Sequence, residues 1–194
     1  MKIVCITGGI GSGKSLVSKI IETLGYPVYY SDERAKQMYF HPEIKPKVID
    51  LLGTEAYIND YQINKKYIAD KIFSDKYLLN QINEIIHNAV KDDFKNFLQI
   101  HQNSSFIFKE SALIFEAQLQ NNCDKIILVT APTELRIQRV MNRDNISKEE
   151  VFNRMKHQLD DSIKISQSDY VIQNDEQQSL LVQVLRIIDD LKSQ

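Results

Sequence analysis

The sequence predicts an α/β fold built on a five-stranded parallel sheet, and three features predict it. Lys2–Thr7 (KIVCIT) is a short run rich in β-branched residues that stops at Gly8-Gly9, the mark of a buried strand. Leu16, Val17, Ile20, Ile21 and Leu24 then repeat at helical spacing over 15–24, and Gly25 and Pro27 end that helix before a second strand at Val28–Tyr30. Strand, glycine loop, helix and strand make a β-α-β unit, which requires parallel pairing. Three later runs, 106–108, 125–131 and Tyr170–Gln173, resume the strand pattern and bring the sheet to five.

Between the second and third strands the pattern is helical, over 33–40, 43–52, 65–73 and 77–99, with no clear strand among them. The runs at 106–108 and 125–131 are each expected to lead into a helix. A charged helical stretch over 134–163 precedes the last strand, and an amphipathic run over 177–192 closes the chain. There is no internal repeat and no low-complexity linker. A helical insertion therefore follows strand two, and a charged helical excursion precedes strand five.

The chain has 194 residues, enough for one domain with a real core. Its 24 basic and 26 acidic residues leave a net charge of −2, so nothing electrostatic points to nucleic acid or a membrane as partner. Any anion must be recognised locally. Cys5 and Cys123 are too few and too scattered for a disulfide framework or a zinc site, and Cys5, inside an apolar run, reads as a small core residue. The opening MKIVCITGG reaches glycine before a signal-peptide apolar region forms, and no run approaches the ~18 apolar residues of a membrane span. The expected address is the cytoplasm.

Chemistry is concentrated in Gly8-Gly9-Ile10-Gly11-Ser12-Gly13-Lys14-Ser15, which matches G-x-x-x-x-G-K-[ST] between a strand and a helix. Glycines reach backbone conformations closed to other residues, so successive N–H groups can turn inward around phosphate oxygens. The helix that follows directs its positive end at the same anions. In such a P-loop Lys14 reaches the β- and γ-phosphates of a nucleotide triphosphate and the Ser15 hydroxyl ligates Mg²⁺.

Such loops serve several enzyme classes, so the acceptor side needs other residues. A guanine-reading Asn-Lys-x-Asp segment is missing, which argues against a GTPase, and the chain is short for a motor. A small-molecule kinase needs a carboxylate at the acceptor hydroxyl and cations around the moving phosphoryl group. Asp32 follows the second strand, at the edge where open α/β sheets bind ligands. From the residues alone it is either that base or the N-cap of a helix beginning near Glu33. Arg139 and Arg143 share one helix face, either as a phosphoryl clamp or as a solvated surface. Glu110 ends a strand and reads equally as an acid near the metal or as a surface residue. His87, inside a long amphipathic helix, reads by itself as structural.

Taken together, these residues resemble the dephospho-coenzyme A kinase family over essentially the whole chain. The segment from Ile6 to Ser15 looks like that family's ITGGIGSGKS. Val28 to Asp32 is similar to its strand ending in D-A-D, and Ile85-Ile86-His87 to its L-L-H-P. Ser111 to Glu116 resembles V-P-L-L-F-E, Arg139 with Arg143-Asp144 its R-x-x-x-R-D, Arg154-Met155 with Gln158 its R-M-x-x-Q, and Ser168 to Asn174 its A-D-x-V-I-x-N.

The resemblance implies a P-loop kinase core at 1–31, 104–141 and 166–194, a helical acceptor-binding insertion at 32–103 and a lid at 142–165. It implies transfer of the ATP γ-phosphate to the ribose 3′-hydroxyl of dephospho-coenzyme A. Asp32 is then the base, and Lys14, Thr7 and Arg139 serve the transfer site. Gly9, Ile10, Gly11, Ser12, Gly13, Lys14, Ser15, Leu16, Arg143 and Asn174 hold ATP, with Asn174 near the adenine, and His87 meets the acceptor. Four positions depart from the family pattern: Leu16 stands for Thr, Tyr30 for Asp, and Asn88 and Ala112 for Pro. Another small-molecule or nucleotide kinase is the alternative within enzymes, and an ATP-binding regulatory module the alternative outside them. The sequence leaves the oligomeric state open.

Overall fold

The computed structural model describes residues 1–73 and 75–193; Ser74, within the helical insertion, and Gln194, which ends the last core stretch, lie outside them. The elements in chain order are β1 (Lys2–Thr7), α1 (Lys14–Thr23), β2 (Val28–Tyr30), α2 (Ser31–Met38), α3 (Lys45–Leu52), β3 (Tyr57–Asn59), β4 (Gln62–Ile63), α4 (Lys65–Phe73) and α5 (Lys76–Ile100). There follow β5 (Phe106–Glu110), β6 (Lys125–Thr130), α6 (Thr133–Asp144), α7 (Lys148–Met155), α8 (Asp161–Ser166), β7 (Tyr170–Gln173) and α9 (Leu180–Ser193). The chain divides into two compact units, one of Met1–Tyr30 with His101–Gln194 and one of Ser31–Ile100.

The first unit is a five-stranded sheet in the order β2-β5-β1-β6-β7. Every pairing in it is parallel. Strand residues alternate faces. Val4 and Ile6 therefore point to one side and pack with Val17 and Ile21 of α1 and with Val184, Ile187, Ile188 and Leu191 of α9. That spacing along α9 gives one continuous apolar stripe against the sheet. Cys5 points to the other side, into a cluster with Ile114, Phe115 and Ile126.

On that face the cysteines differ from expectation. Cys5 is a core residue, 1% exposed, but it is bonded to Cys123 in a disulfide that spans a sequence separation of 118. The reason is the strand register. Val4 pairs with Lys125 and Cys5 with Ile126, and Asp124 N–H donates to the Ile3 carbonyl at 2.8 Å. Residues remote in sequence thus lie side by side just before β6.

Two local expectations also need correction. The chain after β5 makes turns and a single 3-10 turn at Gln120–Asn122 instead of a helix. The charged excursion is three helices, α6, α7 and α8, and the first break falls where Asn145 takes a left-handed conformation (φ 52°) at the end of α6. Ser147 then starts α7 with a reciprocal capping box to Glu150.

The second unit has its own core, built from Met38, Ile44, Val48, Leu52, Ile68, Ile82 and Ile86 of α2, α3, α4 and α5 with adjacent turns. Its four helices fall close to the sequence expectation, but a small antiparallel hairpin, β3 with β4, lies among them. The hairpin has three residues in β3 and two in β4, too few for an apolar alternation to register in the sequence. An Asx contact from Tyr61 N–H to Asn59 Oδ1 at 2.9 Å shapes its turn.

Candidate active site

β1 lies inside the sheet with β5 and β6 as neighbours, and its carboxyl end opens directly into the glycine loop. That edge is where open α/β sheets bind ligands. The loop turns on itself through Ser12 N–H to the Gly9 carbonyl at 3.1 Å, and α1 begins at Lys14. Gly13 carries φ 99°, and a Cβ there would lie 2.1 Å from Asn174 Nδ2. Both the backbone conformation and the close approach require glycine at this point.

Thr7 and Ser12 are fully buried, yet neither hydroxyl has a hydrogen-bond partner among the described residues. Unpartnered buried oxygens are costly unless something pairs with them. They stand at the entrance and in the middle of the loop. Lys14 Nζ donates to the Gly8 carbonyl at 2.9 Å, so its ammonium is drawn back across the loop. Ser15 is exposed in the first turn of α1, and so is Leu16, at 54%.

Later elements grip the loop. Asn174, at the end of β7 and 8% exposed, donates from Nδ2 to the Ser12 carbonyl at 2.8 Å. Arg139 Nη2 donates to the Asn174 carbonyl at 3.2 Å and reaches Glu176 Oε1 at 3.0 Å. The structure therefore brings Arg139, Asn174 and the loop together. Arg143 is turned elsewhere. It is exposed and binds Asp144 in two contacts, from Nε at 2.7 Å and from Nη2 at 3.1 Å, while Arg154 Nη1 reaches the same carboxylate at 2.6 Å. The Arg143 hydrogen bonds, reinforced by Arg154, hold the Asp144 carboxyl down to about 2.

Sequence reasoning missed Arg136. It is 5% exposed, donates from Nε to the Ile10 carbonyl at 2.9 Å, and pairs through Nη1 with Asp161 Oδ2 at 2.9 Å. The available signal was its position: Arg136 and Val140 are four apart, on the stripe that α6 buries, where a charge needs a partner. Ile10 N–H in turn donates to Gln158 Oε1 at 2.8 Å. Glu116 completes this side. Burial alone would raise its carboxyl, but Lys164 Nζ at 2.7 Å and the Leu159 N–H at 3.0 Å outweigh that and hold it below its ordinary value. Glu110 is 5% exposed at the end of β5, which rules out the surface reading.

In the other unit, Asp32 lies within the first turn of α2, which begins at Ser31, so it is not the cap of a helix starting at Glu33. A carboxylate there still favours the helix through its dipole. His87 is exposed on α5 and holds no core place. A cavity of about 480 Å³ on this unit is lined by Met38, His41, Lys47, Glu84 and Asn88, among others, but not by His87.

A parallel sheet with a complete phosphate loop at the carboxyl end of an inner strand defines a P-loop nucleotide-binding protein. A family model described as dephospho-CoA kinase matches residues 2–179. The dephospho-CoA kinase of Porphyromonas gingivalis is 40% identical over 190 residues, covering 97% of this chain and 93% of that one. That of Bacteroides fragilis is 38% identical over 184 residues, 94% of this chain and 89% of the relative. The chain belongs to the dephospho-CoA kinase family. Among solved structures it is similar to TT1252 from Thermus thermophilus, with TM-score 0.86 at 28% identity over 97% of this chain and 96% of that one. A dephospho-CoA kinase from Campylobacter jejuni shares the fold at TM-score 0.67 and 23% identity, covering 98% and 97% of the two chains.

Proposed function

We propose that this protein transfers the γ-phosphoryl group of ATP to the ribose 3′-hydroxyl of dephospho-coenzyme A, giving coenzyme A and ADP in the last step of coenzyme A synthesis. The observation that carries this reading is a family match running from residue 2 to residue 179 over a chain whose phosphate loop is intact. In the reaction the 3′-oxygen bonds to the γ-phosphorus, the bond to the β-bridging oxygen breaks, and the hydroxyl proton passes to the Asp32 carboxylate. General-base help of this kind is worth ~10²–10⁴ in rate.

The loop residues Gly9 to Leu16 hold the triphosphate, and Lys14 leaves the Gly8 carbonyl for the β- and γ-phosphates. Thr7 and Arg139 line the transfer site. Arg139 has a buried Nη1 with no hydrogen-bond partner among the described residues, a donor suited to a phosphoryl oxygen. Asn174 and Arg143 serve the nucleotide. Residues 32–103 take the acceptor, with His87 contacting it, and 142–165 act as the lid over a core of 1–31, 104–141 and 166–194.

Mg²⁺ fits the donor set. The Ser15 hydroxyl, exposed in the first turn of α1, would hold a magnesium ion together with phosphate oxygens and water, the mixed shell this ion favours, and the ion would neutralise charge on the phosphates. No described helix is long and apolar enough to cross a membrane.

The test is an acceptor panel scored by ADP release with MgATP: dephospho-coenzyme A, a nucleoside monophosphate and a sugar acid. Turnover with dephospho-coenzyme A alone is expected. Turnover with either of the others and none with dephospho-coenzyme A would assign a different kinase, and ATP binding with no acceptor-dependent release would leave a regulatory module.

A further inference from the structure

The two peptide groups that flank the Ile10 Cα are each bound by a residue from far along the chain. Ile10 N–H donates to Gln158 and the Ile10 carbonyl accepts from Arg136 Nε, at 2.8 and 2.9 Å. Arg136 continues through Nη1 to Asp161 at 2.9 Å, with side-chain exposures of only 6% and 28%. The third edge of the guanidinium presses on the loop itself: a Cβ at Gly9 would lie 2.0 Å from Nη2. Gly9 is not among the positive-φ glycines, so its backbone accepts alanine and what forbids a side chain there is the arginine.

We propose that Arg136 is a positioning residue for nucleotide binding. It fixes the Gly9–Ile10 turn of the phosphate loop and ties that turn, through Asp161, to the stretch that carries Gln158. Loop shape and the placement of residues 158–161 are then set together. The planar fork is essential to this role, because one group must reach a carbonyl and a carboxylate in different directions. An ammonium carries three donors on one nitrogen and has no second, rigidly placed nitrogen with which to reach the other acceptor. Burial gives the arrangement its leverage: the guanidinium is 6% exposed, so losing its carboxylate partner leaves a buried charge without compensation.

The inference rests on the nucleotide-binding part of the proposed function. Its test is calorimetric MgADP affinity, with MgATP KM and kcat alongside, for Arg136→Gln, Arg136→Lys, Gly9→Ala and Gly9→Ala combined with Arg136→Gln. Both Arg136 variants should weaken MgADP binding by at least about tenfold, the scale of a lost charged hydrogen bond, with a smaller loss in kcat. Gly9→Ala should weaken binding alone but add little to Arg136→Gln, because the shorter side chain removes the clash. Wild-type affinity in Arg136→Lys, or penalties at Gly9 and Arg136 that simply multiply, would overturn the proposal. Should Arg136→Gln fail to fold, the lysine variant and the Gly9 variant decide it. Wild-type protein that fails to bind MgADP defeats both this inference and the kinase reading. Binding without turnover of dephospho-coenzyme A defeats only the acceptor assignment.

Discussion

Asn174 Nδ2 donates to the Ser12 carbonyl at 2.8 Å, joining the end of β7 to the loop that opens α1 across 162 residues of chain. The bond is buried, and the same asparagine accepts from Arg139 through its backbone carbonyl. Shape in the phosphate loop is thus imposed from outside it. Asn174→Ala removes the donor and leaves a buried carbonyl unpaired, at a cost of ~1–3 kcal/mol. The variant should melt earlier and show a raised KM for MgATP; an unchanged KM with unchanged melting would show that the loop holds its form without this contact.

Lys14→Ala removes the one ammonium on the loop. By comparison with single oxyanion donors, a loss of ~10²–10³ in kcat is expected. Steady-state kinetics with MgATP measure it, and near-normal turnover would contradict the phosphate role of Lys14.

Asp32→Asn keeps the size of the side chain and its place in the first turn of α2 but cannot accept a proton. It should lower kcat by ~10²–10⁴ while MgADP affinity stays at the wild-type level. Equal losses in affinity and kcat, or no loss at all, would reduce Asp32 to a stabiliser of the helix end.

Asp144 gives a pH signature. Arg143 and Arg154 hold its carboxyl at about 2, below the ordinary value of about 4. A depressed carboxyl contributes stability that is complete above its unfolded value and is lost as pH falls through the folded one. Urea midpoints of the wild type should therefore fall more steeply than those of Asp144→Asn between about pH 4 and 2. Parallel curves would mean that the Arg143–Asp144–Arg154 cluster adds nothing.

The Cys5–Cys123 bond closes a long loop, and reduction should lower stability by ~2–5 kcal/mol. Intact mass with and without reductant, followed by thermal melting, checks it. Two freely alkylated thiols in unreduced, folded protein would contradict the bond.

What the sequence made legible was local. The phosphate loop is eight adjacent residues whose chemistry is written in their order, and each of the five sheet strands carries its own apolar run. The disulfide was hidden because it depends on β1 pairing with β6, a contact no local pattern encodes. Arg136 was hidden for a different reason. A charged residue in a polar helix reads as solvated, and the place of Arg136 four residues before Val140 was a weak signal that the packing of α6 against the loop makes plain. The hairpin at β3 and β4 escaped because strands of three and two residues are too short to show a period. Capping was readable but unread: Ser147 with Glu150 has the S-x-x-E spacing that marks the start of α7.

The most direct measurement follows the phosphate. The protein is incubated with γ-labelled ATP, Mg²⁺ and dephospho-coenzyme A, and the product is treated with a 3′-specific nucleotidase. The account predicts labelled coenzyme A that gives up all its label as inorganic phosphate. Label absent from the product, or retained after that treatment, would contradict it.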